Sequence, residues 1–234
     1  MKPIERFRKP SVADEVFEAL HRQILALDLA PGTRLSEAEV AKALGVSRQP
    51  VRDAFYRLSK LGFLVIRPQR ATLVSHISTR EVMQARFIRE SLEVAIVRQA
   101  SAGLPSDAVD ELADNLSRQK ITVQARDPMG FHDLDDQFHR SICHHSGHGY
   151  SWDIIQEHKA HMDRVRVLSL SFALEEAFGG HVEIFDGIRR HDAEAAVAAM
   201  SRHLSRIKQQ ILRIREEHRA YFEDELHPTA VVSA

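Results

Sequence analysis

The chain has 234 residues, 44% of them hydrophobic and 28% charged, with a formal net charge of −1. That is enough chain for two domains with cores of their own, and the lack of any run of about 18 apolar residues argues against a membrane-spanning helix. The single cysteine, Cys143, forms no intrachain disulfide and fits a reducing cytoplasm, the expected location.

The near-neutral total hides an asymmetry. Residues 1–77 carry 13 Lys and Arg against 8 Asp and Glu, a net of +5, whereas residues 78–234 carry 19 against 25, a net of −6. Only the first part is suited to meet phosphate. Met1–Pro10 is basic but has no apolar core, so it does not read as a secretory signal.

Ser11 can cap a first helix in which Val16, Leu20, Ile24 and Leu27 recur at helical spacing. Pro31-Gly32 then turns the chain. Ser36 followed by Glu39 has the form of a capping box, predicting a helix to about Leu44 that Gly45 ends. Ser47 caps the next helix, Pro50 lies in its first turn and Gly62 closes it. Val40, Leu44, Val46, Val51, Phe55 and Leu58 supply an inner face for this pair, leaving Arg48, Gln49 and Arg52 outside. Arg48 and Arg52 are one turn apart, so both point one way, as a helix reading a major groove requires. Phe63–Ile66 and Thr72–Val74 read as two strands around Pro68-Gln69-Arg70, a wing. Residues 1–77 are thus predicted to form a winged helix-turn-helix that binds double-stranded DNA.

Ser78 with Glu81 opens a second, all-helical domain over residues 78–226, followed by a tail at 227–234. Helices are predicted over Thr79–Ala102, Ser106–Ala125, Pro128–His145, Tyr150–Leu174, about Glu175–Arg190 and Asp192–Glu223. The expected fold is mainly α, with a small β-wing in the first domain and a helical bundle in the second.

Twelve of the 14 histidines lie beyond residue 77. Asp135 and His139 stand at i and i+4 on one predicted helix, half of a metal site. His181 and His203, each flanked by apolar residues, can supply the rest. His132, Asp136 and Cys143 are rivals by spacing, and a helix-surface Asp–His pair or a buried thiol is the plain alternative. His144, His145 and His148 are expected in solvent, as are His158 and His161. Three imidazoles and a carboxylate suit zinc, nickel, manganese or iron.

The N-terminal residues resemble the winged-helix domain of the GntR family of bacterial transcription regulators. The matching residues are Pro31-Gly32-Thr33, Leu35, Ser36-Glu37, Leu44-Gly45-Val46-Ser47-Arg48, Pro50-Val51-Arg52 and Leu58. The second domain resembles the FCD effector domain of the FadR-like branch, through Arg89 with Leu92-Glu93, Asp135 with Phe138-His139, Ser146-Gly147, His181, Asp192 and His203. The resemblance implies DNA contacts at Ser47, Arg48, Gln49, Arg52 and Arg70, and a divalent metal, zinc by preference, on Asp135, His139, His181 and His203. It also implies a homodimer on a near-palindromic operator, acting as a repressor, and a small carboxylate effector such as a sugar acid. Arg89, Arg164 and Arg166 are the arginines expected to pair with that acid. Ala38 and Ala71 depart from the family pattern, which places an arginine and a glycine there in many members. A regulator with purely structural metal is one alternative. A metal-dependent hydrolase is another, but no HExxH motif or general base accompanies the site, and the chain is not expected to be an enzyme.

Overall fold

The computed structural model describes residues 10–66 and 71–223. The chain divides into two compact units, residues 1–76 and 77–234. Arg70, the wing tip around it and the 227–234 tail lie outside the described residues.

In the first unit, α1 (Val12–Leu25) starts at a full capping box. The Ser11 hydroxyl accepts the Asp14 N–H at 3.2 Å and the Asp14 carboxylate accepts the Ser11 N–H at 2.9 Å. The helix stops before Leu27, whose φ is +65°, and Leu25 rather than Leu27 is the buried residue at this end. α2 (Glu37–Leu44) ends at Gly45, whose φ of +66° an L side chain takes only with strain. α3 (Arg48–Lys60) follows after a short turn. Ser36 and Ser47 stand at the N-caps of these two helices, but neither side chain makes a capping bond.

Val51, Ala54, Phe55 and Leu58 of α3 pack inward, whereas α2 buries Ala41. Leu44 is 39% exposed and Val40 and Val46 are half-buried, so the α2 share of the expected inner face is smaller than its apolar residues suggested. Arg57 joins α3 to α1: its guanidinium lies 4.1 Å from the Phe17 ring centre and donates to Asp14 at 2.8 Å. The wing has three strands, one more than expected. β1 (Arg34–Leu35) pairs antiparallel with β3 (Thr72–Val74), which also pairs antiparallel with β2 (Leu64–Val65).

The second unit is helical. It comprises α4 (Thr79–Ala100), α5 (Ser106–Ala125), α6 (Pro128–His145), α7 (Gly149–His158), α8 (Ala160–Arg189), α9 (Ala193–Ser205) and α10 (Ile207–Glu217). Caps mark several starts: Ser78 at α4, Asp127 with Pro128 at α6 and Asp192 at α9 each accept a backbone N–H from inside their helix. Two boundaries differ from the sequence pattern. The helix predicted over 150–174 breaks at Lys159, whose buried ammonium is held by Asp136 at 2.6 Å and Asp163 at 3.0 Å. The long last helix divides at Arg206 and ends at His218. The break predicted near Leu174 is present as a kink at Ala173, whose non-helical backbone (φ −120°, ψ 15°) separates two helical segments of α8.

The main core gathers Val97, Leu112, Phe138, Ile142, Trp152, Ile184 and Met200, each no more than 2% exposed. A second cluster (Ile77, Val82, Val165, Ile211, Ile214, Phe222) ties the start of the unit to its end through the Ile77–Phe222 bridge. Burying each such side chain contributes about 1.5–3 kcal/mol before ordering entropy is charged.

Candidate metal centre and nucleic-acid interface

α6 carries Asp135 and His139 on one face, α8 brings His181 from the segment after its kink, and α9 brings His203. One ligand atom from each of the four lies within 4.8 Å of all the others. His139 Nε2 is 3.3 Å from His203 Nε2, and His181 Nε2 is 3.2 Å from Asp135 Oδ1. Exposure is 0% for Asp135 and His181, 1% for His139 and 8% for His203.

The outer edges of two imidazoles are anchored. His181 Nδ1 is 2.7 Å from Gln119 Oε1, a carbonyl oxygen that can only accept, so the N–H is on Nδ1 and the Nε2 lone pair faces inward. Gln119 is itself held by donating to Asn115 Oδ1 at 2.7 Å, and Asn115 by donating to the Leu134 carbonyl at 3.1 Å. His139 Nδ1 meets the Glu93 carboxylate, which accepts from Arg89 Nε at 2.5 Å. Phe138 and Phe131 stack on the His181 ring at 4.7 and 5.9 Å between centroids.

Electrostatics keep Asp135, His181 and His203 in their metal-binding forms. Burial alone would raise the Asp135 carboxyl, but the Arg166 guanidinium and His181 beside it hold it well below the usual carboxylate range. Burial pushes His181 down to about 4 against the pull of Asp135. His203 is pushed well below the ordinary imidazole value by burial and by the neighbouring His181 and His139. Glu93 falls to about 2 because Arg89 and His139 outweigh its burial.

The donor set fits a divalent cation. Asp135 Oδ2 and His181 Nε2 are buried with no hydrogen-bond partner among the described residues, and inward-facing lone pairs crowd one point that protein donors do not fill. The anchoring of His139 by a carboxylate and of His181 by an amide is the outer-shell support that metal-bound imidazoles use.

Arg89 and Arg166 both adjoin this group, paired with Glu93 and Asp135 respectively. Arg164 is not brought there: it is fully buried, bonds the Ala160 carbonyl at 3.4 Å and lies 3.0 Å from His161 Nδ1. The rivals separate as well. Cys143 is buried in the apolar core with its thiol pushed up to about 12, chiefly by burial. His132 and Asp136 belong to a second group with Asp163, where Lys159 already supplies a cation. His144 and His158 are exposed as expected, whereas His161 is half-buried and accepts the Ser78 N–H at 3.1 Å. His145 and His148 are half-buried with partners, Glu111 at 2.8 Å and Gln99 at 2.6 Å.

Sequence reasoning passed over Glu93, Gln119 and Arg86 as site residues. Arg86, Arg89, Glu90 and Glu93 fall at i, i+3, i+4 and i+7 of α4, one helical face made of charge, which is a legible signal. Gln119 has no comparable signature.

On α3, Ser47, Arg48, Gln49 and Arg52 are all exposed. Arg52 does not stand alone: its Nη2 donates to Glu37 of α2 at 3.0 Å, and its Nε is 3.3 Å from both Glu37 oxygens. Gln49 donates to Asp53 at 2.9 Å. The Arg52–Glu37 pair is solvent-exposed and therefore weak, so it orients the guanidinium without locking it.

Two family models match the chain: "Bacterial regulatory proteins, gntR family" over residues 12–74 and "FCD domain" over residues 84–206. The chain is 36% identical to the HTH-type transcriptional repressor RspR of Escherichia coli strain K12 over 216 residues, 92% of this chain and 95% of that protein. Among solved structures, E. coli McbR/YncC superposes with a TM-score of 0.74 at 22% identity, covering 89% of this chain and 99% of that one. A GntR regulator from Rhodococcus sp. RHA1 gives the same TM-score and identity over 86% and 97%. Those two likenesses show a shared fold. A helix-turn-helix with a three-stranded wing, an all-helical second unit and these matches place the chain in the GntR family of bacterial transcription regulators, with an FCD domain as its second unit; it is a regulator and not an enzyme.

Proposed function

We propose that the chain is a ligand-responsive repressor that binds a near-palindromic operator as a homodimer and senses a small organic acid at a divalent metal in its FCD domain. The observation that supports this best is the convergence of Asp135, His139, His181 and His203 on one buried point, with His139 and His181 anchored from behind. These four residues would hold the ion, zinc by preference among zinc, nickel, manganese and iron. When bound, it supplies a Lewis-acid point for a carboxylate oxygen of the effector.

The rest is carried by the chain. Arg89 and Arg166 offer charge-assisted hydrogen bonds to the acid. Burial keeps the His181 and His203 imidazoles neutral. In the first unit, Arg48, Gln49 and Arg52 face base edges, with Ser47 beside them at the helix start, where backbone N–H groups attract phosphate. Arg70 serves the same purpose from the wing. Two copies related by a two-fold axis would set two such helices about one DNA turn apart. Effector binding shifts the dimer away from its DNA-competent arrangement by the difference in effector affinity between the two arrangements.

The test is operator release. Fluorescence anisotropy on a labelled operator fragment, titrated with a series of small hydroxy acids, should show release from the metal-loaded protein and none from protein stripped by a chelator. Equal release from both would contradict metal-assisted sensing. No release by any acid from the loaded protein would favour a structural metal.

A further inference from the structure

We infer that the effector of this site carries at least two negative charges, as an acid with a second acidic group that Arg86, Arg89 and Arg166 receive together. This rests on the metal reading above and goes past it in charge and in residues. His203 of the four-residue group lines a cavity that is also lined by Arg86, Arg89, Arg166 and Arg206. Four guanidinium groups thus face one small cavity.

Each arginine has one carboxylate partner: Arg86 with Glu90, Arg89 with Glu93, Arg166 with Asp135 and Arg206 with Glu176. The ion pairs around the cavity therefore cancel one by one. A divalent cation on the four-residue group would add two positive charges there, and an effector with at least two negative charges offsets them.

Hydrogen bonding points the same way. Arg86 Nε, Arg89 Nη2 and Arg166 Nη1 are buried and have no hydrogen-bond partner among the described residues. Each arginine turns one edge to its own carboxylate and keeps another N–H unused. An unpaired buried donor is rare and costly, and three from three arginines on one cavity are best explained by an absent acceptor with several oxygens. A monocarboxylate engaged at the metal has too few oxygens left to satisfy three donors. A second carboxylate or a phosphate has enough, and the two share the chemistry that these guanidinium groups recognise.

The test uses full-length protein loaded with zinc, its metal content measured on the same sample. Calorimetric titration compares glycolate, with one carboxylate, against malate, with two, and 3-phosphoglycerate, with a carboxylate and a phosphate. Malate or 3-phosphoglycerate should bind about tenfold or more tightly than glycolate, and whichever binds better distinguishes a carboxylate from a phosphate as the second group. Arg86→Gln should bring that ratio towards one. Glycolate binding as tightly as both, at one metal per chain, would overturn the second acidic group and leave the metal reading standing. A preference unchanged in Arg86→Gln would overturn the role of this arginine group. No metal in the sample would overturn both readings. The wild-type ratio stands as a test by itself should Arg86→Gln fail to fold.

Discussion

A methyl group at position 180 would meet His203 Nδ1 at 2.8 Å and Arg206 Nη1 at 2.9 Å. Gly180 thus lets α9 bring an imidazole against α8, which is why the Gly179-Gly180 pair sits inside a helix instead of ending one. Gly180→Ala should lower metal affinity by about tenfold or more, as loss of a positioning contact does, while the far-ultraviolet circular dichroism stays unchanged. Unaltered affinity by competition with a chromophoric chelator would refute this role. On α3, Arg48→Ala should abolish specific operator binding with the fold intact, and a footprint matching the wild type would remove Arg48 from the interface. Arg52→Ala should do the same, despite the bridge to Glu37. His161 gives a pH test of the fold. Burial, and then Arg164, lower its pKa from 6.5 to about 4, so the folded state resists its protonation. The unfolded chain takes up that proton first, so stability is at its full value above pH 6.5 and falls as the pH drops to about 4, by at most about 3 kcal/mol. Denaturant titrations across that window should show a smaller fall in His161→Gln, which keeps an acceptor for the Ser78 N–H.

Helices were most legible where a cap and an apolar period agreed. Ser11, Ser78, Asp127-Pro128 and Asp192 all stand where helices start, because their signals are local. At α1 the cap is also coupled to the core, since Asp14 takes both the Ser11 donors and the Arg57 guanidinium. The Ser11 contacts, and then Arg57, hold the Asp14 carboxyl at about 2. Ser11→Ala should lower the stability of the first unit by about 1 kcal/mol, read as a shift of the denaturant midpoint in helical signal. Two features were not local and were missed. β1 is two residues long and exists only because β3 pairs with it. The break at Lys159 follows from two carboxylates drawing in a buried ammonium, one of them 23 residues away in the chain. The interruption of α8 at Ala173, by contrast, lies one residue from the break expected near Leu174.

At the scale of the molecule, the two units differ in how far their chemistry could be read. The candidate DNA-reading residues of α3 fall within five consecutive positions, 48 to 52, so the sequence nearly displays them. The candidate metal centre draws on α6, α8 and α9, and only the Asp135–His139 half has a spacing that reveals it. Their apolar flanks made His181 and His203 candidates, and family resemblance then singled them out from the rivals. Arg86 and Glu93 share a charged face of α4 that the spacing displays, whereas Gln119 of α5 is recognised only once it meets His181. If the four-residue group holds an ion, chelation should lower the thermal midpoint of the wild type and leave a His139→Ala/His203→Ala double variant unmoved, since a ligand that binds only the folded state stabilises it. The most direct measurement is elemental analysis of both proteins after purification. The account predicts one divalent ion per chain in the wild type and almost none in the double variant; equal metal content in the two would contradict it.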